Sequence, residues 1–229
     1  MKNYAIILAS GTGSRSGLNI PKQFFKIKNK TLLEYSIEAF QFNEKIDAII
    51  VVSNPDFIDL TKELSIKYSK VINILPGGET RQKSSEIGVN SIQEEVNVLI
   101  HDAVRPFVSQ NIINECVEAL KKYNAINVAI ESSDTILEID ENNFIKSIPQ
   151  RNILRRVQTP QCFKLNIIKE AHKLANCDKD FQPTDDCGLV LKYKLAPIYV
   201  VKGNESNIKV TYPSDLEIAE KILENINRN

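Results

Sequence analysis

Short, continuously apolar runs alternate with amphipathic segments through the first 130 residues of the chain. The runs lack the polar alternation of a half-exposed strand, so each one predicts a strand that is buried on both faces. These runs lie at residues 4–8, 46–52, 71–75, 96–100 and 126–130. Apolar residues recur at helical spacing in the intervening segments, at residues 31–42, 54–68, 80–92 and 110–123. Such an alternation predicts right-handed βαβ crossovers and an α/β fold, a Rossmann-like, mostly parallel sheet flanked by helices.

The alternation of apolar runs with amphipathic segments ends after residue 130. Two short runs, 134–139 and 144–148, flank the polar turn 140–143 and predict an inserted β-hairpin. A lone hairpin is only marginally stable in water, so we expect it to pack on another surface, such as a second subunit. We therefore describe the chain as a single domain, residues 1–229, with an inserted hairpin arm at 131–150.

The remaining third of the chain is less regular. Its apolar spacing predicts helices near 165–175 and 184–193, a strand at 198–201 and a last helix that begins at 212–215. Residues 207–211 are predicted as a short strand. The segment 151–161 is basic and polar, and it receives no strand or helix.

Composition and charge narrow the classes of function. Lys+Arg and Asp+Glu both total 29, so no overall field would attract nucleic acid or an anionic membrane. The four cysteines show no C-x-x-C pairing, which argues against a zinc site and favours reduced thiols. The N-terminal apolar run is too short for a signal peptide, and no later run could span a bilayer. We expect a cytoplasmic protein.

A small, glycine-rich loop follows the first predicted strand. Gly11-x-Gly13 could begin a dinucleotide fingerprint, but the third glycine would fall at Ser16, and a Walker A sequence is also absent. A plain tight turn is the simplest alternative. It does not account for the two cations that follow, Arg15 and Lys22. A loop with little side chain can present N–H groups to phosphates, and the cations could stabilise a transferring phosphoryl group. The loop therefore indicates a nucleotide-dependent transferase.

Two further candidate segments follow predicted strands. The turn at Gly77-Gly78 leads into a helix whose N–H groups, with Arg81 or Ser84, could bind an anion or a base edge, although Thr80 as an ordinary N-cap explains it equally well. In the second segment, His101-Asp102-Ala-Val-Arg105, Asp102 could hold a divalent metal or accept from a hydroxyl, and Arg105 could bind a phosphate. The alternative there is an Asp–Arg ion pair. Ligands of such sheets bind beyond the carboxyl ends of the strands, where these segments would converge.

Three other segments carry candidate residues that have simple structural explanations. Arg151 is followed by Arg155-Arg156, which could be solvated surface. Thr184-Asp185-Asp186 could be an N-cap with acidic residues in the first turn. Lys209 could be an outward-facing charge on its predicted strand.

Taken in order, the segments resemble one enzyme family. They are ILASGTGSR, PKQF, GGETRQKS, HDAVRP, SDTI, QTPQCF, TDD and NIKVT, and together they extend from residue 6 to about residue 222. The set is similar to the cytidylyltransferases that make CDP-linked polyols, which act on 2-C-methyl-D-erythritol 4-phosphate or on ribitol 5-phosphate. The resemblance implies that a phosphate oxygen of the polyol phosphate attacks the α-phosphorus of CTP and releases pyrophosphate.

The resemblance also implies roles for individual residues. Arg15 and Lys22 would stabilise the α-phosphoryl transition state, and Arg151 and Lys209 would join them as catalytic residues. The CTP-binding residues would be Leu8, Ala9, Ser10, Gly11, Gly78, Arg81, Ser84 and Asp102. Mg²⁺ would bridge the CTP phosphates, with Asp102 near the metal or the ribose. The polyol phosphate would be held by Arg105, Thr184 and Lys209 and, from a partner's arm in a homodimer, by Thr135 and Arg151.

Departures from the family pattern bear on the acceptor. Ser10 stands where glycine or alanine is usual, and Ser16 stands where methionine is usual. In and next to the arm, the sequences at residues 131–138 and 147–151 look like the ribitol type. The sequences at 151–154 and at 184–186, by contrast, look like the methylerythritol type. Because the arm would touch the polyol, we expect ribitol 5-phosphate, with 2-C-methyl-D-erythritol 4-phosphate as the alternative. A non-catalytic nucleotide-binding protein on the same fold is a further alternative.

Overall fold

The structure, a computed structural model, describes residues 1–12, 20–178, 181 and 183–226. Its elements in chain order are β1 (Asn3–Ala9), β2 (Lys26–Ile27), β3 (Lys30–Thr31), α1 (Leu32–Gln41), β4 (Ala48–Ser53), α2 (Ile58–Ser65), β5 (Val71–Pro76), α3 (Arg81–Asn90), β6 (Asn97–Asp102), α4 (Gln110–Ala119), β7 (Ala125–Glu131), β8 (Glu138–Ile139), β9 (Ile145–Ser147), β10 (Arg155–Lys164), α5 (Leu165–Ala175), α6 (Asp186–Lys192), β11 (Ile198–Lys202) and α7 (Ser214–Ile226). Short 3₁₀ helices lie at Lys22–Phe24, Pro55–Phe57 and Arg151–Ile153.

Seven of the strands in the described part of the chain form one sheet in the order β11-β7-β10-β6-β1-β4-β5. Neighbouring strands are parallel except at β10, which runs antiparallel to both β6 and β7. The other six strands therefore share one direction, and their carboxyl ends lie along one edge of the sheet. The predicted α/β fold with a mostly parallel sheet is confirmed.

The sheet is covered by helices on both faces. Successive side chains of a strand point to opposite faces, so Ile7 of β1 joins Phe40 of α1 in one buried cluster, and Ile6 joins Phe163 of β10 in the other. All of β1, β4 and β6 is buried, as continuous apolar runs predict for central strands. Among the described residues, no helix is long and apolar enough to cross a membrane.

Helix starts follow local sequence signals. The side chain of Thr31 accepts a hydrogen bond from the N–H of Glu34, and the Glu34 carboxylate accepts from the N–H of Thr31, which completes a capping box at α1. Thr80 caps α3 as the sequence allowed. At α6 the cap is Asp185, whose Oδ1 accepts from the N–H of Gly188 at 2.7 Å. Asp186 is therefore the first helical residue and its carboxylate is free for other partners.

Two sequence predictions are wrong. The segment 151–161, to which no strand was given, contains the first seven residues of β10, which lies between β6 and β7. Its polar side chains are buried because they find partners: Gln161 donates to Asp185 Oδ2 at 2.6 Å, and Thr159 Oγ1 lies 2.9 Å from His101 Nδ1. Residues 207–211, predicted as a strand, belong to none. In this segment the N–H of Val210 donates to the carbonyl of Val104 at 2.9 Å.

A short antiparallel pair, β8 with β9, forms within the segment predicted as a hairpin arm. The turn between the strands is held by Asp140, whose Oδ1 accepts from the N–H groups of Asn142 and Phe144 at 2.9 and 3.0 Å. The large apolar side chains of the arm are exposed, among them Ile136, Leu137, Ile139, Phe144, Ile145 and Ile148. The use of this arm as a contact with a second subunit stays a prediction.

We predict that Phe163→Ala lowers the free energy of unfolding by about 3–5 kcal/mol, because it removes a fully buried ring between β10 and α5 and leaves a cavity. Val157→Ala, on the half-exposed first part of the same strand, serves as the matched control and is expected to cost less than about 1 kcal/mol. Denaturant unfolding of both variants measures the difference. Equal costs would contradict the burial pattern of β10.

Candidate active site

A cavity of about 610 Å³ opens at the edge of the sheet where β1, β4, β5 and β6 end. This is the edge at which ligands of open α/β sheets bind. Eight of the residues that the sequence singled out line it: Leu8, Ser10, Gly11, Lys22, Gly78, Arg81, Asp102 and Lys209. The convergence of the first loop, the glycine turn and the end of β6 is therefore confirmed.

Asp102 is the electrostatic centre of the cavity. Its carboxylate accepts from Arg81 Nε at 3.1 Å and from Lys209 Nζ at 2.8 Å, and its side chain is 9% exposed. Burial alone would raise the pKa of Asp102, but the charges of Arg81 and Lys209 outweigh it and hold that pKa well below its usual value. The carboxylate is therefore ionised throughout the physiological pH range and offers its negative charge to cations.

Arg81 is held by a second carboxylate. Its Nη1 donates to Asp186 Oδ2 at 2.7 Å, and Asp186 is fully buried. Burial opposes the charge of Arg81, but Asp186 and Asp102 together raise its pKa above the usual value. The guanidinium therefore stays charged at the wall of the cavity, in a position fixed from two sides.

Ser84 supports the glycine turn from below and is itself fully buried. Its Oγ accepts from the N–H of Gly78 at 3.2 Å and from Ser10 Oγ at 2.7 Å, and donates to the carbonyl of Thr80 at 2.9 Å. Side chains are excluded from the turn because a Cβ at Gly77 would lie 2.3 Å from Ser10 Cβ. The hydroxyl of Ser10 thus links the first loop to the second.

Lys22 lies in a 3₁₀ helix, Lys22–Phe24, whose side chains are buried. The sequence did not single out its neighbour Gln23, yet Gln23 Nε2 donates to the carbonyls of Ala9 and Gly11 at 2.6 and 2.9 Å. These bonds fix the start of the glycine-rich loop against the helix that carries Lys22. The sequence feature that could have identified Gln23 is the segment PKQF, in which the lysine alone was given a role. Arg15 and Gly13 lie outside the described residues.

A third hydrophobic cluster positions Lys209. Val210 is buried with Ala219 and Leu223 of α7 and with Phe107. Arg105 holds the same segment, because its Nη1 donates to the carbonyl of Asn207 at 2.8 Å. The Asp102–Arg105 ion pair that the sequence allowed does not form in this part of the structure. Arg105 instead bonds backbone carbonyls, and it does not line the cavity.

Thr159 of β10 is a second residue whose place the sequence did not reveal. Its Oγ1 accepts from the N–H of Asp102 at 3.2 Å and lies 2.9 Å from His101 Nδ1. Burial lowers the pKa of His101 to about 4, so the ring is neutral at pH 7 and serves as a support behind Asp102. The sequence feature that could have identified Thr159 is its place in QTPQCF, one of the eight segments that resemble the enzyme family.

Of the five predicted acceptor-binding residues, Lys209 lines the cavity and the other four, Arg105 among them, do not. Thr135 is exposed on the arm, and Thr184 is exposed just before α6. Arg151 is exposed after the arm and donates to the carbonyl of Ser133 at 3.3 Å. A single chain therefore brings Lys209 together with predicted nucleotide-binding residues, but not the other four predicted acceptor-binding residues.

The donor set of the cavity fits one kind of metal ion. The described residues contain no group of three or more His, Cys, Asp or Glu side chains that could hold a metal by themselves. Asp102 is the buried carboxylate of the cavity lining, and each of its oxygens keeps a lone pair beyond the bond to Arg81 or Lys209. Mg²⁺ commonly binds through one or two carboxylates together with substrate phosphates. The site fits an ion of that type.

Comparison with known proteins gives consistent results. The family model described as IspD, 2-C-methyl-D-erythritol 4-phosphate cytidylyltransferase, matches residues 4–225. A 2-C-methyl-D-erythritol 4-phosphate cytidylyltransferase from Thermobifida fusca (strain YX) is 39% identical over 96% of this chain and 92% of that protein. The bifunctional ribulose 5-phosphate reductase/CDP-ribitol pyrophosphorylase Bcs1 from Haemophilus influenzae is 42% identical over 97% of this chain but 48% of that protein.

A solved structure agrees with these relatives. The crystal structure of 4-diphosphocytidyl-2C-methyl-D-erythritol synthase from Anaerococcus prevotii DSM 20548 aligns with a TM-score of 0.88 and 29% identity, over 97% of this chain and 96% of that one. The resemblance drawn from the eight sequence segments is confirmed. With the family model spanning nearly its whole length, the chain belongs to the IspD family, the CTP-dependent cytidylyltransferases.

Proposed function

We propose that this enzyme transfers CMP from CTP to 2-C-methyl-D-erythritol 4-phosphate and releases pyrophosphate. The family match over residues 4–225 carries the proposal, and relatives of near-complete coverage bear the name of this reaction. They support this acceptor better than the ribitol 5-phosphate expected from the arm sequence. Membership in an enzyme family also argues against the non-catalytic alternative. Because both substrates are metabolites of the cell interior, we propose that the reaction takes place in the cytoplasm.

The cavity supports a mechanism based on positioning and charge. A phosphate oxygen of the acceptor attacks the α-phosphorus of CTP and forms a new P–O bond, while the bond from that phosphorus to the β-phosphate oxygen breaks. We propose that Lys22, Arg15 and Lys209 stabilise the negative charge on the transferring group, and that Leu8, Ala9, Ser10, Gly11, Gly78, Arg81 and Ser84 form the nucleotide-binding wall. Phosphoryl transfer of this kind needs no covalent nucleophile from the protein.

Asp102 is the residue that would hold Mg²⁺. When bound, the ion would neutralise part of the negative charge of the CTP phosphates. Asp102 already keeps Arg81 and Lys209 at the cavity, so the same carboxylate would order the cations that face the triphosphate.

The acceptor half of the site is proposed to form between two subunits. Arg105 and Thr184 would act from the same chain, whereas Thr135 and Arg151 would reach the site from the arm of a partner. Two observations support this arrangement: Thr135 and Arg151 are exposed and do not line the cavity of their own chain, and the large apolar side chains of the arm are exposed. In this proposal the chain is one nucleotidyltransferase domain with an arm at 131–150.

A second candidate acceptor is D-ribitol 5-phosphate. The observation that favours it is the Haemophilus relative named as a CDP-ribitol pyrophosphorylase, which is 42% identical over nearly all of this chain. The arm sequences at 131–138 and 147–151 favour the same acceptor. This chain spans about half of that relative, whose name also includes a reductase activity.

We predict that Lys22→Ala lowers kcat by about 10²-fold or more, because it removes a preorganised cation from the transferring phosphoryl group. Lys26→Ala is the matched control, since Lys26 is an exposed lysine four residues away and outside the cavity lining. Pyrophosphate release is measured for both variants. A Lys22→Ala enzyme that turns over like the Lys26→Ala control would refute the role of Lys22.

A substrate panel tests the acceptor. With CTP and Mg²⁺, we expect pyrophosphate release on addition of 2-C-methyl-D-erythritol 4-phosphate and much slower release with ribitol 5-phosphate or glycerol 3-phosphate. Turnover with ribitol 5-phosphate alone would establish the second candidate instead. Binding of CTP without release of pyrophosphate from any polyol phosphate would contradict the transferase itself.

Mixed dimers test the shared site. Arg151→Ala and Lys22→Ala enzymes are each expected to be nearly inactive, but subunits exchanged at equal amounts should recover about a quarter of wild-type activity, because half of the dimers would be mixed and each mixed dimer would keep one intact site. Mass measurement by light scattering confirms the dimers. A mixture that stays as inactive as its parents would place Arg151 and Lys22 in the same chain's site.

A further inference from the structure

We infer that Asp186 is a positioning residue for CTP binding, because its buried carboxylate holds the guanidinium of Arg81 at the wall of the cavity. The inference rests on the proposed function only in taking CTP as the ligand. Asp186 itself does not line the cavity, so it would act on the nucleotide through Arg81.

Arg81 is fixed by two different nitrogens on two different carboxylates. Its Nε donates to Asp102 at 3.1 Å and its Nη1 donates to Asp186 at 2.7 Å. The side chain of Asp186 is 1% exposed, whereas that of Arg81 is 27% exposed and therefore reaches solvent in the cavity. Neither of these bonds uses Nη2, which stays available for a ligand. The guanidinium plane is thus set by the protein before any nucleotide arrives.

The carboxylate of Asp186 is itself held rigidly. Because Asp185 provides the N-cap of α6, Asp186 is not needed for capping. Its N–H donates to Gln161 Oε1 of β10 at 3.0 Å, and its Oδ1 accepts from Ser85 Oγ at 2.5 Å. Arg81 and Ser85 are four residues apart on α3 and therefore share a face of that helix. The carboxylate of Asp186 therefore fixes both side chains and joins α6 to α3, while its backbone N–H joins α6 to β10.

Among the described residues, His172 is the other basic side chain with a contact to Asp186. His172 Nε2 lies 3.6 Å from Asp186 Oδ1, beyond hydrogen-bonding range. Burial lowers the pKa of His172, so its ring is neutral at pH 7 although Asp186 and Glu86 act in the opposite direction. A buried carboxylate needs a charged partner, and Arg81 supplies it.

The Arg81–Asp186 ion pair also determines which groups bind the two carboxylate oxygens of Asp102. Oδ1 of Asp102 accepts a hydrogen bond from Arg81, and Oδ2 accepts one from Lys209. Without Asp186, Arg81 would be free to turn and take both oxygens of Asp102, since the guanidinium favours bidentate contact with a carboxylate. Lys209 would then lose its anchor. Asp186 thus keeps one oxygen of Asp102 for Lys209, and with it the arrangement of two separate cations in the cavity.

The test is CTP binding, measured by calorimetry without acceptor. Asp186→Asn keeps the shape of the side chain and removes its charge, and we expect the dissociation constant for CTP to rise roughly 10- to 100-fold, as for loss of a supporting partner that orients a binding group. In an Arg81→Ala background the further change to Asp186→Asn should have no effect on CTP binding.

Controls separate positioning from stability. Asp185→Asn perturbs the same helix start without touching Arg81, so it should lower the unfolding midpoint but leave the CTP dissociation constant within about twofold. If Asp186→Asn does not fold, Ser85→Ala, which removes one hydrogen bond to Asp186 and no charge, should weaken CTP binding about threefold or more. A folded variant with unchanged CTP affinity, or additive losses in the double variant, would overturn the inference. Wild-type protein that binds CTP without using methylerythritol phosphate would overturn only the proposed acceptor, and failure to bind CTP would overturn both.

Discussion

The buried carboxylate of Asp102 is the constraint on which the site depends. Removing a carboxylate from water is unfavourable unless cations replace the solvent. The buried end of β6 is therefore stable only because Arg81 and Lys209 form ion pairs with Asp102 there. Those two cations come from α3 and from the segment that α7 packs in place. The electrostatic requirement of one strand end therefore joins three distant parts of the chain and brings two cations, Arg81 and Lys209, into the lining of the cavity.

The central part of the sheet was predictable because its strands are mainly apolar. In β1, β4 and β6 the polar residues lie at the strand ends and the interior of each strand is apolar, and local caps such as Thr80 mark the helices between them. The convergence of the glycine loops with Asp102 followed from the shared direction of those strands. The elements of the sheet and its helices can be predicted from local periodicity, because the spacing of apolar residues within one segment indicates which of its faces is buried.

β10 could not be predicted in the same way, because its sequence is polar where the strand is buried. Gln158, Thr159 and Gln161 are buried by virtue of partners far along the chain, namely Asn204, His101 and Asp185. A window of sequence holds only one half of each such pair. The same reason hid Asp186: in its own segment it is a first-turn acid, and its role emerges only when α6 lies beside α3.

The nucleotide and acceptor halves of the site obey different physical rules. The residues that face the cavity are tied to the sheet by buried ion pairs and backbone hydrogen bonds, so changing them disturbs the core. Thr135 is exposed on the arm and Arg151 directly after it, and substitutions at such exposed positions meet few packing constraints. In the proposed dimer, an arm of this kind would let the acceptor change while the CTP half is preserved. Relatives named for methylerythritol phosphate and for CDP-ribitol match nearly the whole of this chain at similar identity, as such a division of the site would allow.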